Sequence, residues 1–183
     1  TLFSSAAEAA INWDDTYNVI VIGAGGAGLS AAVSAKEAGC KKVVVLEKMM
    51  FAGGNTIRAG GGFNAAIKAD YEKAGIKDSP DLHAQQTLAA GDGRGDPVLV
   101  HQLTEKAPES VQWLKDHSVK FEDHIYQIYA GLYKRARNPI GPRGGAYIKA
   151  LLEVCKKEDI PILYNTRVVE IIREHQLSGH VLG

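Results

Sequence analysis

One stretch decides the fold: YNVIVIGAGGAGLSAAVSAKEAGCKKVVVLEK, at residues 17–48. It opens with β-branched residues at 18–22, which are typical of a parallel strand buried on both faces. Small residues fill 27–38, as expected for a helix pressed against a sheet, and a second apolar run follows at 42–46. The order of strand, glycine turn, helix and strand predicts the first unit of a Rossmann-like α/β domain.

The turn between the first strand and the helix has the spacing G-x-G-x-x-G. In this motif the first glycine allows the tight turn, the second lets a pyrophosphate approach the backbone, and the third lets the helix pack on the strand. An acid about 20 residues further on can accept hydrogen bonds from the ribose of an adenosine. The predicted dinucleotide site therefore contains Gly23, Gly25, Gly26, Ala27, Gly28 and Glu47. The alternative is a glycine turn that only packs helix on strand.

Composition excludes several classes of function. The 183 residues include 21 Lys and Arg and 21 Asp and Glu, so no net charge draws the chain to nucleic acid or an anionic membrane. Cys40 and Cys155 form no C-x-x-C motif, and the six histidines lack metal-ligand spacing. No apolar run approaches the roughly 20 residues that span a bilayer. We expect a small-molecule-binding protein with no metal, no nucleic-acid partner and no membrane span.

A second glycine-rich stretch, EKMMFAGGNTIRAGGGFNAA at residues 47–66, separates FAD from NAD. An NAD-binding domain would continue directly into its next helix and strand, whereas here two more glycine clusters come first. This favours a backbone that follows a long flat ligand, and hence FAD. Because Glu47 suits either cofactor, an NAD-binding domain stays an alternative.

From about Tyr17 to its C-terminus the chain resembles the FAD-dependent fumarate reductase and succinate dehydrogenase flavoprotein family. The likeness is closest to soluble members, such as the flavocytochrome fumarate reductases and the urocanate and methacrylate reductases. Besides the glycine clusters, it is carried by DSPDLHAQQTLAAGDGRGDPVLV, SVQWLKDHSVKF and RARNPIGPRGGAYIKALLEVCKKEDIPILYNTRVVEI. The resemblance implies that Glu47 binds the ribose, that Lys48 lies beside the cofactor and that Val168 meets the adenine through its main chain. It also places along the pyrophosphate and flavin Gly54, Asn55, Thr56, Ala59, Gly60, Gly61 and Gly62.

The resemblance also implies an activity. The family transfers hydride between flavin N5 and an activated C=C, so a small unsaturated carboxylate such as fumarate is the expected substrate and Gly60 and Gly61 are its expected contacts. The electron donor would be a cytochrome or a reduced flavin. Membrane-bound members carry a flavin-linked histidine where this chain has Asn55, which implies non-covalent FAD. The catalytic acid is unknown, because in the family it comes from a capping domain and a second half of the FAD domain.

Three alternatives to this activity stay open. L-aspartate oxidase and 3-ketosteroid dehydrogenase share the cofactor fold, although GGFNAA fits the fumarate reductase branch better. A non-catalytic FAD-binding module is the third.

The rest of the chain predicts how the domain is built. A helix with Ile148, Leu151, Leu152 and Cys155 on one face, a third parallel strand at 161–164 and a hairpin from 167–172 follow a long insertion. These elements predict a doubly wound parallel sheet with helices on both faces. Residues 1–16 would form an extension, and 17–183 the N-terminal part of an FAD-binding domain with a helical insertion at about 67–133. The capping domain is absent, so the domain is predicted to be incomplete and completed by the remainder of the flavoprotein or by a companion chain.

Smaller signals give further expectations. Ser79 and Asp96, each followed by proline, predict helix N-caps, and Pro108 predicts a break between two helices. The histidines are expected to be surface or capping groups. Arg135, Arg137 and Arg143 could hold an anion, but a solvated loop is the preferred interpretation. The A-x-A pattern at residues 7–9 favours export to the periplasm, with a cytoplasmic location as the alternative.

Overall fold

The computed structural model describes residues 12–128, 133–175 and 178–183. The residues on which the export prediction rests, 7–9, lie outside this described part.

A parallel sheet forms the centre of the fold. Strand β1 (Val19–Ile22) leads through a glycine turn into helix α1 (Gly26–Glu37), which returns to strand β2 (Val43–Leu46). The two strands pair in parallel from Val19 opposite Val43 to Ile22 opposite Leu46. Much later in the chain β6 (Ile162–Leu163) pairs in parallel with the other side of β2, giving the order β1-β2-β6. The predicted α/β class and parallel sheet are confirmed.

The main core lies between this sheet and two helices. The second helix, α5 (Gly144–Lys157), contacts α1, and the two cover the sheet face that carries Val19, Val43 and Val45. Leu29 and Leu151, one from each helix, are 0% and 1% exposed at the centre of this core. On the alternate positions of β1, Ile20 and Ile22 are about half exposed. The predicted amphipathic helix over the sheet is therefore present, with its apolar stripe facing inward.

Between β2 and α5 the described residues form three further α-helices and a small antiparallel sheet. The sheet contains β3 (Phe63–Asn64), β4 (Tyr126–Gln127) and β5 (Lys134–Arg137), in the order β3-β5-β4. The helices are α2 (Lys68–Lys73), α3 (Pro80–Ala90) and α4 (Pro97–Asp116), and the last two pack on each other.

The predicted N-caps start α3 and α4. The Ser79 hydroxyl accepts the N–H of Leu82 at 3.0 Å, and the Asp96 carboxylate accepts the N–H of Val98 at 2.8 Å. The predicted break at Pro108 is wrong, because Pro108 lies inside the continuous α4. The buried residues Thr104, Ala107, Val111 and Leu114 continue across it, so packing of this stripe outweighs the hydrogen bond that proline removes.

The C-terminal elements begin later than predicted. Only Ile162 and Leu163 of the predicted third strand pair with β2. The hairpin is formed by β7 (Arg173–His175) and β8 (Ser178–Val181), whereas 167–172 carry no strand. Within the described ranges, no helix combines the length and apolar character that crossing a bilayer requires.

Candidate functional site

The glycine turn after β1 is tight for two reasons. Gly23 has φ +97°, which side-chain-bearing residues rarely adopt. At Gly28 an added Cβ would overlap the carbonyl oxygen of Gly23 and lie 3.0 Å from its carbonyl carbon. The third glycine of the motif is therefore needed for close packing of α1 on the turn, as the sequence predicts.

Gly25 differs from both of these glycines. Its φ of −83° suits any residue, and an added Cβ would meet only the carbonyl oxygen of Gly53, at an ordinary 3.8 Å. Neither backbone conformation nor internal packing requires glycine here. A Cβ would instead project into space beside the turn, where the motif predicts a pyrophosphate.

The turn also presents free hydrogen-bond donors. Within the described part of the chain no acceptor reaches the backbone N–H groups of Gly25, Ala27 and Gly28. These groups lie at the N-terminus of α1, where the helix dipole favours negative charge. The residues present thus fit a diphosphate, which needs bare backbone and several N–H donors.

Glu47 ends β2 beside this turn and is 6% exposed. One carboxylate oxygen accepts the N–H of Ala24 at 2.7 Å, and the other accepts the N–H of Met49 at 2.8 Å. The carboxylate therefore ties the glycine turn to the segment after β2. Each oxygen can accept a further hydrogen bond, so the group is placed to receive ribose hydroxyls as well.

The second glycine cluster, Gly53 and Gly54, packs directly against the glycine turn after β1. Gly53 donates its N–H to the carbonyl of Ala24 at 2.8 Å, and the Thr56 hydroxyl accepts the N–H of Gly26 at 3.1 Å. Gly54 has φ +50° and exposed Asn55 follows it, before a 3-10 turn at Thr56–Arg58. Thr56 thus braces the glycine turn through its side chain, a role that the sequence does not reveal.

The third glycine cluster, Gly60 to Gly62, lines a cavity of about 640 Å³ together with Ala59. Gly61 has no room for a side chain, because an added Cβ would lie 2.8 Å from the carbonyl carbon of Arg143. The Tyr147 hydroxyl also donates a hydrogen bond of 2.7 Å to the carbonyl oxygen of Gly61. Burial raises the pKa of the Tyr147 hydroxyl, which therefore stays a donor. By contrast, no atom of the described residues lies within 4 Å of an added Cβ at Gly60. Ala59, Gly60, Gly61 and Gly62 are thus brought together around a space that can hold a ligand.

The two remaining predicted contacts lie at the ends of the parallel strands. Lys48 is exposed directly after Glu47, and Val168 is half-buried after β6. The segment before Val168 is held to β2, since Thr166 donates its N–H to the carbonyl of Glu47 at 2.9 Å. Both residues therefore belong to the carboxyl edge of the sheet, where the glycine turn also lies.

Two of the three candidate arginines have a structural role. Arg135 and Arg137 are almost fully buried and pair with Asp78 and Asp70, at 2.8 and 2.7 Å respectively. The predicted solvated loop is wrong for these two, because each guanidinium is held by an acid from the helical segment. Arg143 is exposed and lines the cavity beside Gly60.

The histidines do not form a site. His117 is the C-cap residue of α4 and contacts the Glu37 carboxylate at 2.9 Å, so it is a capping group as predicted. His83 is instead buried, and burial, followed by the charge of Arg135, lowers its pKa. No group of His, Cys, Asp and Glu in the described ranges could hold a metal ion.

Residues 18–183 match the family described as "FAD binding domain". This chain belongs to the FAD-binding domain family of the fumarate reductase and succinate dehydrogenase flavoproteins. The match decides between the two cofactors in favour of FAD.

Known proteins support the same assignment. The chain is 37% identical over 166 residues to the NADH:fumarate oxidoreductase of Klebsiella pneumoniae, covering 90% of this chain and 18% of that protein. It is 34% identical over 170 residues to the urocanate reductase of Eggerthella lenta, covering 91% and 27%. The solved open conformation of a flavocytochrome c3 fumarate reductase superimposes with a TM-score of 0.81 at 29% identity, covering 88% of this chain and 28% of that one. The chain thus spans less than a third of the length of these relatives.

Several lining residues escaped the sequence analysis. Tyr126 begins β4 and Asn138 directly follows the neighbouring strand β5, so both line the cavity, and the Tyr126 hydroxyl donates to the Asn138 side-chain oxygen at 2.7 Å. Strands of two residues are too short to show a pattern. The signal that could have found Asn138 is the Asn-Pro pair after the arginines, which is typical of a turn.

Proposed function

We propose that this chain is the FAD-binding portion of an enzyme that reduces the activated C=C of an unsaturated carboxylate. The observation that carries the proposal is the turn at Gly25, where neither the backbone conformation nor internal packing requires glycine, followed in the same chain by a ligand-sized cavity along Gly60 and Gly61. The similarity to reductases named for fumarate and urocanate extends over nine tenths of the chain.

The residues have distinct roles in this proposal. The free N–H groups of Gly25, Ala27 and Gly28 bind the pyrophosphate, and Glu47 receives the ribose while it keeps the turn closed. Ala59 and the glycines 60–62 present backbone to the flavin, and Gly60 and Gly61 also face the substrate. Lys48 lies beside the cofactor and Val168 meets the adenine through its main chain.

FAD, when bound and reduced by two electrons, would supply a hydride to one carbon of the C=C and return to its oxidised form, with a proton completing the saturated carboxylate at the other carbon. A carboxylate attached to the C=C lets negative charge develop where cationic side chains can stabilise it. We propose that the proton donor comes from the remainder of the flavoprotein or from a companion chain. The electrons would come from a cytochrome or a reduced flavin.

The test is flavin reoxidation under anaerobic conditions. The full-length gene product is purified with FAD, reduced photochemically and mixed in turn with fumarate, acrylate and urocanate. We expect the oxidised flavin spectrum to return with at least one acid. Return with none of them would refute the proposal.

The same protein tests the enzyme alternatives. Bleaching of oxidised flavin by aspartate would support an L-aspartate oxidase, and bleaching by a ketosteroid would support a ketosteroid dehydrogenase. A protein that binds FAD and responds to none of these compounds would support a non-catalytic module.

We also propose that the FAD is not covalently attached, because Asn55 offers no nucleophile for such a bond. Acid precipitation should leave all of the flavin in the supernatant. Flavin that stays with the precipitated protein would contradict this.

A further inference from the structure

Arg143 combines two unusual features. It precedes α5 with φ +53°, a left-handed conformation that arginine rarely adopts. Its side chain is exposed and has no hydrogen-bond or ion-pair partner among residues 12–128, 133–175 and 178–183. A residue whose side chain has no polar partner in the described part of the chain is thus held in a strained backbone conformation.

The surrounding backbone explains the conformation but not the arginine. Gly61 packs on the main chain of Arg143, and an added Cβ on Gly144 would overlap the carbonyl oxygen of Thr56. Glycine at position 143 would adopt the same conformation without strain. Strain of this kind is tolerated where a side chain serves a function, so the reason for arginine lies in its side chain.

The side chain of Arg143 belongs to the cavity of about 640 Å³ that Gly60, Gly61 and Gly62 also line. Among the described residues that line the cavity, Arg143 is the one cation, and Glu122, the one carboxylate, lies 3.6 Å from His124. An unpaired guanidinium in a ligand-sized space matches the geometry and charge of a carboxylate.

A second donor faces the same cavity. Asn138 uses its side-chain oxygen to accept the Tyr126 hydroxyl at 2.7 Å, which leaves the amide N–H₂ free to donate. A charged fork and a neutral amide donor together suit an anion with more than one oxygen acceptor.

We propose that Arg143 binds a carboxylate of the substrate in this cavity, with Asn138 as a second donor. The proposal rests on the reductase function above and adds a substrate-binding residue from the FAD-binding portion itself. It also restricts the substrates to compounds that keep a free carboxylate at this position.

The test compares two glycine substitutions in the full-length FAD-loaded protein. Arg143→Gly removes the guanidinium and the strain together, so we expect a higher midpoint of thermal unfolding but a KM for the best carboxylate raised about 10- to 100-fold. The matched control is Asp159→Gly, which relieves a positive φ of +52° just beyond the other end of α5, at a residue that does not line the cavity. It should also stabilise the protein and leave KM unchanged. Arg143→Lys should give an intermediate KM.

The affinity for FAD separates this role from binding of the cofactor. We expect Arg143→Gly to bind FAD as the wild type does. Weakened FAD binding with an unchanged KM would overturn the proposal, as would an Arg143→Gly variant that is less stable and has the wild-type KM.

A binding measurement keeps this proposal distinct from the proposed reduction. Succinate, a saturated dicarboxylate, is titrated calorimetrically into the oxidised proteins. Binding to the wild type that is lost in Arg143→Gly supports the role of Arg143 even if no unsaturated acid is reduced. Equal binding to both proteins, or no binding to the wild type, refutes it even if fumarate is reduced.

Discussion

The substitution Gly25→Ala tests whether the glycine turn after β1 holds the diphosphate. The added methyl group meets no protein atom closer than 3.8 Å, and the backbone angles of φ −83° and ψ −175° suit alanine. The FAD-free protein should therefore be as stable as the wild type, or more stable by about 0.4–1 kcal/mol, because alanine restricts the unfolded chain.

The affinity for FAD should respond in the opposite direction. The methyl group occupies the side from which the diphosphate approaches the N–H groups of Gly25 and Ala27. A hydrogen bond to a charged group contributes roughly 1.5–3 kcal/mol, so the loss of one or two should cost about 2–4 kcal/mol. This corresponds to an increase in Kd of roughly 30- to 1,000-fold.

The matched control is Gly28→Ala, three residues along the same helix. Its methyl group would overlap the carbonyl oxygen of Gly23, so the damage falls on the fold, by at least the roughly 1–3 kcal/mol typical of overpacking. Flavin fluorescence during titration with FAD gives the affinity, and thermal unfolding without FAD gives the stability. If Gly25→Ala bound FAD as tightly as the wild type, or lost stability as Gly28→Ala does, the assignment of the diphosphate to this turn would be wrong.

Three further perturbations probe the supports of the site. Glu47→Gln should lower the free energy of unfolding by about 1.5–3 kcal/mol and also weaken FAD binding, because the amide N–H₂ would face one of the two backbone N–H donors. Wild-type values in both urea unfolding and FAD titration would show that the carboxylate is dispensable. Asp78→Asn should lower the free energy of unfolding, measured with urea, by about 3–5 kcal/mol, because it leaves the Arg135 guanidinium buried without its anion. Replacing both residues by leucine should cost less, and an equal loss in the double variant would contradict this explanation. Burial raises the pKa of the Cys155 thiol from 9.0 to about 11, so the unfolded chain loses this proton at lower pH than the folded protein does. The free energy of unfolding should therefore fall as pH rises from 9 to 11, by at most about 1.4 kcal/mol per pH unit. This slope should be smaller in Cys155→Ala, and identical slopes would exclude the thiol as a cause.

The sequence predicts the parallel sheet and the glycine turn because both depend on local patterns. Within about 30 residues the sequence contains continuous apolar strands, a helix of small residues and glycines at fixed spacing. All three patterns predict the same strand-turn-helix-strand unit. Pro108 shows the limit of a local rule, since a buried stripe on both sides of a proline can hold a helix together across it. The two-residue strands β3 and β4 carry too few positions for any periodicity.

The buried ion pairs could not be predicted for a different reason. Arg135 meets Asp78 across 57 residues of sequence, and Arg137 meets Asp70 across 67. A charged residue in a loop-like segment is usually solvated, and only the packed insertion shows that these two are not. Among the three arginines the structure thus separates two with internal partners from Arg143, which has none in the described part of the chain.

Glycines give the most direct argument for where FAD lies. Among those that the structure describes, nearly all have a positive φ or would bring an added Cβ within 3.4 Å of another atom. Gly25 and Gly60 meet neither condition, so the folded chain alone does not require glycine at these positions. Gly25 lies in the glycine turn after β1, and Gly60 lines the cavity of the third glycine cluster. A single extended ligand, with its diphosphate at Gly25 and its flavin at Gly60, accounts for both. Gly60→Ala should therefore weaken FAD binding without destabilising the FAD-free protein, whereas Gly61→Ala should destabilise it.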